Sequence, residues 1–148
     1  MLRWIIAAIH LLALGIGLGS VTYRAAALRG TLDVPQLRRV FRADALWGLA
    51  GLLWISTGVA RAFFGLEKGT AYYLGSTAFR VKMGLLIVLL ALEIAPIVIL
   101  TRWRGQLRKN GTVDTTLAGL LSRLSVVQTV LVVLMLLAAT ALARGLFY

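Results

Sequence analysis

The sequence predicts an all-α integral membrane protein, a four-helix bundle that forms a single transmembrane domain over residues 1–148. Hydrophobic residues make up 60% of the chain and charged residues 14%, with a mean hydropathy of +0.91, whereas about a quarter of the residues in soluble domains are charged. Four apolar stretches recur along the chain, each long enough to cross a hydrocarbon core of about 30 Å. Basic residues gather at the ends of those stretches, the pattern by which membrane proteins set their orientation. Four spans of about 20 residues with short connections leave no room in 148 residues for a soluble domain.

The first span covers about Leu2 to Ala27. Arg3, an apolar run and the small residues Ala25 to Ala27 resemble a signal peptide. The stronger positive charge follows the run, which favours the opposite orientation and an uncleaved helix. Gly30 to Gln36, with Asp33 and Pro35, reads as a turn into the second span, about Arg39 to Phe64, because proline is tolerated in a first helical turn. A longer loop, Gly65 to Ser76, carries Tyr72 and Tyr73, which suit the headgroup layer. The third span covers about Thr77 to Trp103, with Pro96 expected to kink it. Lys109, Asn110 and Gly111 turn the chain into the fourth, about Thr116 to Ala143. No sequence repeat relates the first pair of spans to the second.

Arg24, Arg29, Arg38, Arg39 and Arg42 surround the first loop, and Arg102, Arg104, Arg108, Lys109 and Arg123 the third. The second loop holds only Lys68 between the flanking Arg61, Arg80 and Lys82. Loops one and three are therefore expected in the cytoplasm and both termini outside, as in a bacterial inner membrane. The net charge of +11 is distributed over helix ends and not along one aromatic-lined stripe. That distribution points to lipid headgroups as partners and away from nucleic acid. With no cysteine, and one histidine beside five acids, thiolate and ordinary zinc sites are excluded, so any metal must arrive inside a cofactor.

The one histidine, His10, lies inside the first span, where an ionisable side chain marks a candidate functional site. Residues seven apart are nearly superposed on a helix, so Arg3, His10, Gly17 and Arg24 share one face. Gly15 and Gly19 form a G-x-x-x-G pair on the nearly opposite face, a candidate contact with a neighbouring helix or a second protomer. Lys82 and Glu93 point in one direction on the third span, and His10 and Lys82 lie at similar depth, about 8–10 Å from the outer end. Asp44, Trp47, Trp54, Thr57 and Arg61 line one face of the second span, with Trp54 near mid-membrane. Glu93 and Arg123 lie at matching depths, about 10–14 Å from the cytoplasmic end, and are expected to pair within the membrane. Gln128 points well away from Arg123 round the fourth span.

Trp4-Ile5-Ile6-Ala7-Ala8-Ile9-His10, with Arg80-Val81-Lys82-Met83-Gly84-Leu85 and Leu53-Trp54-Ile55-Ser56-Thr57-Gly58, resembles segments of the HemJ-type membrane protoporphyrinogen oxidases. The resemblance implies that His10 matches a haem-ligating histidine and Lys82 an essential lysine. Arg80 stands where that family often has histidine, and its long Pro-Arg stretch after the first helix is replaced by Thr22-Tyr23-Arg24. The whole chain resembles more closely a family of uncharacterised bacterial four-span membrane proteins, a likeness that implies a fold and no activity.

Two functions follow as expectations. In one, a b-type haem lies in the outer half of the bundle, with His10 on the iron, Lys82, Arg61 or Arg80 near the propionates and Trp54 against the ring. In the other, the bundle is a structural or accessory protein whose polar residues fix helix packing. A transporter is a weaker third, because four short spans without a polar path enclose little volume.

Overall fold

The computed structural model describes residues 1–64 and 70–146. They form α1 (Leu2–Ala27), α2 (Val34–Phe63), a short α3 (Thr70–Gly75), α4 (Thr77–Asn110) and α5 (Ala118–Ala143), with no strand among the described residues. α1, α2, α4 and α5 are each long and apolar enough to cross a membrane. Lys68, the one basic residue within the second loop, lies outside the described residues.

Two helices run further than expected. α2 begins at Val34 and not near Arg39, because the Asp33 side chain accepts a hydrogen bond from the Gln36 N–H at 2.8 Å and Pro35 occupies the first turn. The Gln36 amide reaches back to the Ala27 carbonyl at 3.1 Å, satisfying an acceptor that the end of α1 leaves open. α4 continues past Trp103 to Asn110, where Gly111 adopts a left-handed φ of 68° and its N–H bonds to the Leu107 carbonyl. Arg102 to Lys109 are mostly good helix formers, and the terminal Arg108 and Lys109 complement the helix dipole. Thirty-four residues give α4 a length of about 51 Å, so it projects beyond the hydrocarbon core. Within the segment expected to be loop, α3 supplies one and a half turns. Pro96 sits buried inside α4 without ending it.

α1 packs between α2 and α5, and α5 packs against α4; contacts from His10, early in α1, to Thr57, late in α2, and from Arg24, late in α1, to Asp44, earlier in α2, make those two spans antiparallel. α2 and α4 meet through side chains, as where Arg104 reaches the Phe41 carbonyl and Asp44. Leu28, Leu37, Leu100, Trp103 and Leu121 form a core near the two short turns, while Trp47, Trp54, Leu89, Val132 and Met135 form one at mid-bundle. Phe79, Ala62, Ala78 and Leu142 close the opposite end. Leu11, Leu52, Ile87 and Leu137, one from each span, are all more than half exposed. Such apolar outer surfaces on every span suit hydrocarbon, where helices satisfy their own backbone. The protein is an integral membrane four-helix bundle.

Candidate ligand-binding site

The α1 face expected from seven-residue spacing is the interior face: His10, Gly17 and Arg24 are all buried, while Arg3 is exposed at its end. His10 and Arg24 are about 21 Å apart along the helix. They anchor two polar sites of opposite character.

At the Arg24 end the polar groups satisfy one another. Arg24 is fully buried, and each of the five N–H donors of a guanidinium has a partner. Nε donates to Ser125 at 3.0 Å, Nη1 to Asp44 at 2.7 Å and Glu93 at 3.1 Å, and Nη2 to Glu93 at 3.1 Å and Gln128 at 2.7 Å. The Gln128 amide donates in turn to Glu93, and Arg104 Nη2 donates to the second Asp44 oxygen at 2.7 Å. Every span contributes, and the charges of Arg24 and Arg104 balance those of Asp44 and Glu93. The expected Glu93–Arg123 pair is therefore corrected. Glu93 pairs with Arg24, whereas Arg123 lies exposed on the outer face of α5. Matching depth did not establish matching direction: Gln128 and Ser125, not Arg123, lie on the buried face of α5.

At the other end, His10 and Trp54 border a cavity of about 330 Å³ that reaches Arg61, Tyr72, Lys82 and Met135, and an adjoining space of about 70 Å³. Thr57 Oγ1 lies 2.6 Å from the Leu53 carbonyl and 2.9 Å from His10 Nδ1. A hydroxyl has one proton. Its donation to the carbonyl makes Thr57 the acceptor from the imidazole. His10 thus donates through Nδ1, and among the described residues no side chain hydrogen-bonds to its Nε2. An outer partner fixing a ring tautomer in this way is the usual arrangement behind a metal-ligating histidine.

Gly58 makes room for the ring. A Cβ there would stand 3.3 Å from His10 Cε1, a contact that forces the imidazole to shift. Trp54 lies with its centroid 5.8 Å from that of His10, tilted by 30°. Among the described residues its buried indole N–H has no hydrogen-bond partner. Lys82 Nζ stands 5.8 Å from the Trp54 ring, within cation–π range. Among the described residues no carboxylate pairs with Lys82. The Tyr72 hydroxyl donates to the Leu142 carbonyl at 3.1 Å and ties α3 to the end of α5.

The structure thus brings His10, Trp54, Lys82 and Arg61 to one cavity. Arg80 does not join them. Two residues before Lys82, it lies about 200° round the helix, exposed, and donates to Thr77. Gly15 and Gly19 lie on the exposed face of α1 with open space beside them. Asp44, Gln128 and Met135 were not singled out for their sites by the sequence, although Asp44 and Arg24 were each placed on the correct face.

The sequence profile of the family described as "Predicted membrane protein (DUF2214)" matches residues 2–146. The chain belongs to the DUF2214 family. No curated protein and no solved structure matches it. In this DUF2214 protein the matched region contains both polar sites and all four spans.

Proposed function

We propose that this DUF2214 protein binds a tetrapyrrole, as b-type haem, in the His10 cavity, in a redox or tetrapyrrole-related role. The supporting observation is the His10–Thr57 hydrogen bond, which engages Nδ1 and leaves Nε2 as the ring nitrogen that would bind iron. The residue set fits haem in kind: apolar walls, an aromatic plane at Trp54, and two cations, Lys82 and Arg61, for two carboxylates. The Met135 thioether also lines the cavity, a group type that haem iron accepts. Bound haem would supply one-electron chemistry. His10 would hold the iron, Thr57 would orient the imidazole through Nδ1, and Lys82 and Arg61 would face the carboxylates. The likeness of the His10 and Lys82 segments to HemJ-type oxidases supports the same assignment.

The arginine-rich turns indicate that the α1–α2 and α4–α5 connections face the cytoplasm, with the His10 cavity on the outer side of a bacterial inner membrane. A structural or accessory role is the alternative, and a specific observation favours it: the Arg24 network is complete without any ligand. Absorption spectroscopy of the detergent-purified protein, oxidised and then reduced, separates the two. A Soret band, present on purification or after haem is supplied, supports cofactor binding, and its absence under both conditions supports the structural role.

A further inference from the structure

On the outer surface of the bundle, α1 and α2 leave a groove of about 420 Å³ between them. Its walls change character along its length. Gly15, Ile16, Gly19 and Leu46 give an apolar channel toward mid-membrane, whereas Tyr23, Arg39 and Arg42 line the end nearest the α1–α2 turn. Gly15 lies about 18 Å from the end of α1, and Tyr23 about 6 Å. No acidic residue lines the groove. The two nearby acids are engaged: Asp33 caps α2, and Asp44 holds Arg24 and Arg104. Arg39 and Arg42 are exposed and, among the described residues, have no hydrogen-bond or ion-pair partner.

We propose that this groove binds one anionic phospholipid from the leaflet at the arginine-rich end. The phosphate lies between Arg39 and Arg42, and one acyl chain lies along Gly15, Ile16, Gly19 and Leu46. Planar guanidinium groups suit phosphate, basic sites beside transmembrane helices select anionic headgroups, and the two glycines leave open space where side chains would fill the channel. Charge also decides against a second copy as occupant. A two-fold interface places the same patch on both subunits, so a G-x-x-x-G dimer here would bring four unpaired arginines together.

Native mass spectrometry of the detergent-purified full chain with phosphatidylglycerol or phosphatidylcholine tests this. Wild type is expected to retain phosphatidylglycerol preferentially, and the R39Q/R42Q double variant to lose about 25-fold of that preference, the effect of removing two cations near an anionic headgroup. R39K/R42K restores it, whereas R38Q, which alters an exposed arginine off the groove, leaves it intact. Gly19→Leu, which blocks the channel but keeps both arginines, also reduces retention. A shared cooperative melting transition ensures that folded proteins are compared. Equal retention of both lipids by wild type, equal effects of R38Q and R39Q/R42Q, or a dimer without lipid that Gly19→Leu dissociates would each overturn the proposal.

Discussion

The two polar residues at the ends of one α1 face have opposite requirements. Arg24 is fully buried and depends on its partners, so Arg24→Met leaves Asp44 and Glu93 without their shared cation. Removing one partner of a buried charge pair costs about 3–5 kcal/mol. Glu93→Gln should recover part of that loss, and a double-mutant cycle read by reversible unfolding in detergent should give coupling of about 0.5–3 kcal/mol. Arg123→Gln, on the lipid-facing side, should change stability by no more than about 0.5 kcal/mol. Strict additivity of Arg24 and Glu93 would contradict the network. At the other end, Thr57→Val removes the acceptor for the His10 Nδ1–H. Leaving that donor unpaired is expected to cost about 1–3 kcal/mol in the same unfolding measurement, with Thr57→Ser as the conservative control.

Helix ends were legible where a residue has a local mechanism. Asp33 and Pro35 mark the start of α2 and Gly111 the end of α4, although the expected boundaries at Arg39 and Trp103 left out the helical turns that these residues delimit. Asp33→Ala should cost about 1 kcal/mol through loss of the cap. Gly111→Ala should cost a similar amount, about 1 kcal/mol, because φ of 68° disfavours a Cβ. Thermal unfolding of both variants measures these effects. In the α4–α5 turn, hydrogen bonds from the Thr116 hydroxyl and N–H hold the Asp114 carboxyl below its usual range. Its contribution is present above the ordinary aspartate pKa and is lost as pH falls through the lower folded value. An NMR titration should place the Asp114 midpoint below that of an unstructured aspartate.

For the molecule as a whole, fold class was the easiest feature to read because the membrane constrains span length and backbone hydrogen bonding strongly. The rotational setting of the helices was harder. Leucine, valine and isoleucine serve equally well against lipid and against another helix, so apolar periodicity does not distinguish the inner face. Polar residues do: the His10–Gly17–Arg24 spacing identified the interior face of α1. It did not identify Arg24 as the partner of Glu93, because that choice depends on how α1, α4 and α5 are rotated about their axes. Orientation across the membrane is testable in this cysteine-free chain. Cysteine introduced at Ala71 should react with an impermeant thiol reagent in intact cells, while cysteines at Gly30 and Asn110 should be protected. The reverse pattern would invert the topology and place the His10 cavity on the cytoplasmic side. Whichever side it faces, ligation by His10 is tested most directly by the absorption spectrum of haem-supplied wild type beside folded His10→Ala, before and after adding imidazole. The expected result is a Soret band in wild type that is lost or shifted in His10→Ala and restored by imidazole, whereas an unchanged band in the folded variant, or none in wild type, would contradict ligation at this residue.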